Sequence, residues 1–229
     1  MDGRWLLLET SEVARVGLVV DGQIAASMTL PSGREHNRNL VPTVHTLLEK
    51  HRFKPTDLTG IVVGTGPGSY TGLRIGLMLA KSLAYATGCR LIAVPSFHSL
   101  AAQVTNADEV DVIADALKQT VYVQKFGPAD ADGVRQPINE LRAAKVIDWC
   151  ASLSIGQTVT GPGLELYRGV IPGSVTTTSP ESEGMVAALW NVARTLPTLS
   201  RAELFSLEPL YVRGSSAEEK AKELSSTSA

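Results

Sequence analysis

The run Val62-Val63-Gly64-Thr65-Gly66-Pro67-Gly68-Ser69-Tyr70-Thr71-Gly72-Leu73-Arg74 constrains this chain more than any other stretch. Its β-branched start reads as a buried strand, which empties into a glycine-rich loop and then directly into a long apolar helix. Gly64, Gly66 and Gly68 free the backbone to turn sharply and to approach another surface closely. Pro67 fixes one φ inside that turn. Ser69 or Thr71 can cap the helix by accepting from its first free N–H groups. A helix N-terminus behind a glycine loop is a ready anion site, so phosphate is the first chemistry to test. A P-loop needs a lysine and a hydroxyl after its glycines. Here Ser69-Tyr70-Thr71 follows Gly68, no lysine comes before Lys81, and Ser69 stands where a dinucleotide fingerprint has its third glycine. The loop is not a standard nucleotide cradle.

Around this unit the patterns place three opening strands: Trp5 to Glu9, Val13 to Val20 and Ile24 to Leu30, with Asp21-Gly22 as a hairpin turn. After the break at Pro31-Ser32-Gly33, a helix starts near Asn37 to Asn39 and ends by Pro55. Its Leu40, Val41, Val44, Leu47 and Leu48 share one face. Ile61 to Gly64 is a strand, Thr71 to Thr87 a helix stopped by Gly88, Leu91 to Val94 a strand, and Pro95 to Val104 a short helix. Antiparallel hairpins thus mix with parallel crossovers in an α/β chain. Further on, strands are expected at Val110 to Ala114, Val121 to Phe126 and Val159 to Gly161, with helices at Leu141 to Ser152 and Pro180 to Leu196, the latter capped by Ser179. The division expected is 1–105, a smaller unit at 106–213, and a polar tail at 214–229.

Composition excludes more than it selects. A length of 229 residues allows one domain or two small ones, and 44% hydrophobic with 19% charged residues is ordinary for a globular protein. A formal net charge of −2 gives no footprint for autonomous nucleic-acid binding. Cys89 and Cys150 fit no metal spacing and read as two thiols in a reducing compartment. With no signal peptide and no membrane span, a cytoplasmic location is expected.

The second helix carries a stripe without bulk, Gly72, Gly76, Ala80 and Ala84, flanked by Leu73 and Leu77 on one side and by Ile75, Leu79 and Leu83 on the other. A helix on a sheet needs one apolar stripe, and this one carries apolar groups around most of its circumference. Either another helix of the same chain fills the far side, or a subunit interface is built from this helix and the one before it. The interface reading assigns Leu40, Val44, Leu47, Gly72, Leu73, Ile75, Gly76, Leu79 and Ala80 to partner contact.

Reactive constellations are scarce. None of His36, His45, His51 and His98 pairs with another at i, i+3 or i+4. Ser69 and Ser96 have no evident base partner, and Asp115 has no companion carboxylate in a clear motif. No catalytic residue, metal ligand or cofactor site is assigned.

The string Gly64-Thr-Gly-Pro-Gly-Ser-Tyr-Thr-Gly-Leu-Arg74 resembles the signature of the TsaB (YeaZ) family. Companions fall in matching order: Leu8-Glu9-Thr10-Ser11, His36-Asn37 through Leu40-Val41-Pro42, Ala93-Val94-Pro95-Ser96, Ala114-Asp115-Ala116 and Pro209-Leu210-Tyr211-Val212-Arg213. Gly64, Gly66, Pro67, Gly68, Ser69, Thr71, Gly72 and Arg74 are the signature-loop positions. The resemblance implies an actin/Hsp70/sugar-kinase-like two-lobe fold with mixed sheets and a reduced second lobe. It implies a non-catalytic subunit of tRNA threonylcarbamoyladenosine synthesis that activates a TsaD-type transferase. A TsaE-type ATPase would join, tRNA would be met only through the complex, and the chain alone would pair with itself. Leu40 follows His36 where the transferase has a second histidine, Glu9 and Glu12 would repel phosphate, and Leu117 replaces the family's usual arginine. The competing reading is an active enzyme of the same fold, a glycoprotease-like peptidase or a small ATP-dependent phosphotransferase.

Overall fold

In the computed structural model the described residues are 1–31, 36–181 and 183–212, the side chains of residues 36 and 37 excepted. Ser32, Gly33, Arg213 and the expected 214–229 tail lie outside them, as do the side chains of His36 and Asn37.

The first sheet begins as a meander. β1 (Arg4–Glu9) pairs antiparallel with β2 (Arg15–Val20), and β2 with β3 (Gln23–Thr29). The hairpin signal works as expected, because Asp21 and Gly22 both take positive φ, 48° and 82°, as a two-residue turn matched to strand twist requires. β4 (Gly60–Gly64) then joins β1 in parallel, and β5 (Arg90–Val94) joins β4, for the order β3-β2-β1-β4-β5. The crossovers are α1 (His36–Lys50) and α2 (Tyr70–Thr87), both on one face. Alternation along the strands separates two cores. Leu6, Leu8, Ile61 and Val63 pack with Leu40, Leu47, Leu77 and Ala80. Trp5, Leu7, Val62 and Ile92 turn the other way.

What covers that second face comes from far along the chain. α6 (Gly184–Ala193) lays Val186, Leu189 and Trp190 on it, with the Trp5 and Trp190 rings 5.7 Å apart. This corrects the 106–213 division, since α6 completes the first lobe rather than the second. α7 (Arg201–Ser206) also returns to the first lobe, burying Leu204 in the α1–α2 core.

The second sheet is built on β6 (Val110–Asp115) and β7 (Thr120–Ala129), with β8 (Arg135–Pro137), β9 (Arg142–Lys145), β10 (Thr158–Thr160) and β11 (Thr176–Thr178). The helix expected over 141–152 is corrected: residues 142–145 pair with β7, and only α4 (Val146–Ala151) is helical there, while α5 (Gly163–Tyr167) packs on β6. The helix expected from Pro180 starts at Gly184 with Glu183, not Ser179, at its N-cap position. α3 (Ser96–Ala101) joins the lobes, packing Phe97 and Leu100 against Val110, Val112 and Phe126. Arg135, fully buried, donates to the carbonyls of Val104, Ala107, Asp108 and Gly127 and bolts the 104–108 connection to β7.

Candidate functional site

The glycine loop closes on its own chain. Glu9 is 1% exposed. Its Oε1 accepts from the Ser11 amide at 2.8 Å, and its Oε2 accepts from the Ser96 hydroxyl at 2.9 Å. Ser96 Oγ in turn accepts from the Gly66 amide at 3.0 Å. A Cβ on Gly64 would collide with that carboxylate, one on Gly68 with the Ser11 carbonyl, and one on Gly72 with the Thr10 carbonyl. The glycines therefore serve close approach, as their type implies, but to residues 9–11 rather than to a ligand. Ser69 donates its amide to Ser11 O at 2.5 Å and accepts from Gly72 N at 3.2 Å, so Ser69 rather than Thr71 is the cap of α2. Gly88 ends that helix at φ 73°.

Beside the loop, a crevice separates the lobes. Glu12 stands there with Glu9 and Arg15 on the first lobe and with Asp115 and Glu165 facing from the second. A cavity of about 60 Å³ at this place is lined by Ser11, Glu12, Arg15, Gln103 and Glu181. Glu12 keeps solvent-exposed surface, yet the desolvation of its carboxyl between the two walls, then the like charges of Glu9, Asp115 and Glu165, push it up to about 7 against the pull of Arg15. Asp115 Oδ1 accepts from Tyr167 Oη at 2.6 Å and from the Leu117 amide at 3.0 Å. Burial and that aspartate push Tyr167 up to about 12. An anion would meet carboxylates on both walls. Leu117 is exposed, with φ 61°, in a turn whose next two residues also have positive φ. Among the described residues, no group of three or more His, Cys, Asp or Glu is placed to hold a metal ion.

The helix pair requires the largest correction. Leu40, Val44, Leu47, Gly72, Leu73, Gly76 and Ala80, assigned to partner contact, are all buried within the chain. The Gly72–Ala84 stripe faces inward, and Gly76 lies against the Thr10 side chain. Ile75 and Leu79 are half-buried. The outward positions are others: Val41 at 57% exposure, Met78 at 67% and Tyr85 at 60%. Between α1 and α2 runs an apolar groove of about 470 Å³, walled by Val41, Leu48, Phe53, Leu79 and Leu83, with His45 and Arg52 on its rim.

The other flank of α2 is taken by the chain's own residues 199–212, of which the sequence singles out only the Pro209–Val212 motif. Lys81 Nζ donates to the carbonyls of Phe205 and Leu207, at 2.9 and 3.0 Å, and Leu210 N donates to Thr65 O at 2.9 Å. Arg74 Nε donates to Tyr211 Oη at 2.8 Å, while its guanidinium lies 4.1 Å from the Tyr70 ring centroid. The glycine string and the Pro209–Val212 segment, remote in sequence, therefore meet on one surface. A signal for α7 was present: Ser200 and Glu203 form a capping box. No helix among the described residues is long and apolar enough to cross a membrane.

A family model described as TsaD, tRNA N6-adenosine threonylcarbamoyltransferase, matches residues 28–138. The Bacillus subtilis tRNA threonylcarbamoyladenosine biosynthesis protein TsaB is 37% identical over 119 residues, 51% of this chain and 52% of that protein. The Escherichia coli protein of the same name is 31% identical over 135 residues, 57% of this chain and 58% of that one. The matched part thus spans about half the length of these curated relatives. A solved structure named YeaZ, from Pseudomonas aeruginosa, superposes with a TM-score of 0.72 at 22% identity, covering 92% of this chain and all of that one, which is a likeness of fold. The curated sequences and the solved fold together bear out the likeness to the TsaB (YeaZ) proteins that the glycine string first carried.

Proposed function

We propose that this chain is a non-catalytic subunit of tRNA threonylcarbamoyladenosine synthesis whose task is to bind a TsaD-type transferase through the outward side of α1 and α2. The observation that carries this reading is the character of that side. A solvated helix face is normally polar, yet here Val41, Met78 and Tyr85 stand exposed around an open apolar groove. Exposed apolar surface of this kind marks a protein interface. The transferase family matches residues 28–138, which include both helices. A partner of that family would bring an equivalent helix pair, and like pairs facing each other close into a pseudosymmetric dimer. Without the transferase, the same side would join two copies of this chain.

The loop and crevice support the absence of chemistry. The place where a phosphate would approach the glycine loop is filled by residues 9–11, and Glu12, Asp115 and Glu165 line the neighbouring crevice. The test is a reconstituted modification assay with a TsaD-type subunit, a TsaE-type ATPase, tRNA, ATP and threonylcarbamoyl-adenylate. Modification should collapse when this chain is omitted and return when it is added back. Modification that proceeds undiminished without the chain, or peptidase or ATPase turnover by the purified chain alone, would overturn the proposal.

A further inference from the structure

Residues 199–212 are held to the first lobe by backbone hydrogen bonds and by the Leu199, Leu204 and Leu207 side chains, while Phe205, Leu210 and Tyr211 keep much of their surface in solvent. Leu204 is the buried anchor, and the Phe205, Leu207 and Leu210 backbone groups make the hydrogen bonds to Lys81 and Thr65. Phe205 nevertheless remains 58% exposed, Leu210 39% and Tyr211 40%. A segment that merely covered an apolar helix would turn all of its large apolar groups inward, as it does Leu204 and Leu207. This one lines them up beside the exposed groups of α2: Phe205 meets Tyr85 edge-on at 5.7 Å, and Tyr211 meets Tyr70 at 5.1 Å.

We propose that residues 199–212 form a third wall of the docking face, beside α1 and α2, with Arg74 and Lys81 as the positioning residues that hold it there. Its occupant is the TsaD-type subunit of the preceding section, and the inference rests on that reading. The size of the face argues for it. α2, with 18 residues, is about 27 Å long and α1, with 15, about 22 Å, so the pair packed side by side presents roughly 490 Å² in projection at about 10 Å of width each. A standard-size interface buries about 800 Å² of accessible surface per partner. A third row of similar width brings the face to that size. The wall also supplies the exposed rings of Phe205 and Tyr211, the side-chain type in which interface energy concentrates, and Arg74 ties Tyr211 to the Tyr70 ring of α2.

The test compares four variants of the full chain, titrated against the TsaD-type subunit and melted in parallel. Phe205→Ser with Tyr211→Ser removes two exposed rings and the exposed Arg74–Tyr211 hydrogen bond, so the melting temperature should fall by no more than about 2–4 °C while affinity falls tenfold or more. Lys81→Met should weaken binding severalfold, with recovery in Lys81→Arg. Val41→Glu tests the underlying docking reading and should also weaken binding tenfold or more. If Val41→Glu weakens binding while the Phe205/Tyr211 pair leaves it within twofold, the third wall is refuted and the helix face stands. If neither matters, the docking reading itself falls. Tighter binding by the pair would show a cover to be displaced and would equally refute the proposal.

Discussion

Gly72→Ala distinguishes an inward stripe from an outward one. The substitution adds one methyl group in the first turns of α2, where alanine is the better helix former by about 0.5–1 kcal/mol. On an outward surface that gain would be the whole effect, and the protein would melt slightly higher. Here the new Cβ would collide with the Thr10 carbonyl, a backbone atom that no rotamer change can withdraw. The next carbonyl, that of Ser11, accepts the Ser69 amide at 2.5 Å, so the 9–11 turn is pinned to the loop that starts α2. Relief requires moving the helix start away from β1, and overpacking of this kind costs about 1–3 kcal/mol or more. The net change is a destabilisation of about 1–2 kcal/mol. For a chain of this size each kcal/mol shifts the midpoint by about 2–4 °C, so Gly72→Ala should melt about 2–8 °C lower. The assay is a thermal melt with a transferase titration of the surviving folded protein. A variant that melts at or above wild type yet no longer binds would place Gly72 at the interface and refute the inward packing.

Two further outcomes follow from groups outside the helix pair. Glu12 sits at about 7 folded against an ordinary 4.5, so the folded chain holds a proton that the unfolded chain has lost. That contribution is fully present below 4.5 and is lost as pH rises through 7. Between pH 5 and pH 8 the melting temperature of Glu12→Gln, relative to wild type, should therefore rise with pH, and a pH-independent difference would show that the crevice does not perturb this carboxyl. Arg135→Met should destabilise by about 3 kcal/mol or more, because four carbonyls lose a buried donor. A denaturant midpoint within error of wild type would show those carbonyls to be otherwise satisfied.

The first hundred residues were legible because each element there is fixed by a local rule. Asp21-Gly22 demands a hairpin, Ser69 and Gly88 bracket α2, and the Leu40, Val44, Leu47 and Leu48 face is helical in period and buried in fact, although Val41, read onto the same face, turns outward. Residues 141–152 were misleading, since Ala143 and Ala144 favour a helix by local propensity. The open edge of β7 decides the matter by taking 142–145 as a partner. The lobe division failed at α6, whose packing on Trp5 and Val62 is a contact between ends of the chain that no local pattern reports. The misreading of the small-residue stripe has a different cause. Gly72, Gly76 and Ala80 show only that something comes close, and closeness has no direction in a sequence. The occupant here is the end of β1, and Gly72 is closed by the Thr10 carbonyl, which every residue type supplies alike. The segment that covers the flank of α2 was hidden for the same reason, because Lys81 holds it by the carbonyls of Phe205 and Leu207. Side-chain pattern could nevertheless have found the outward face. Met78 and Tyr85 lie on the side of α2 that also carries Arg74 and Lys81, and a large apolar group among charges on a helix flank is what an interface leaves in a sequence.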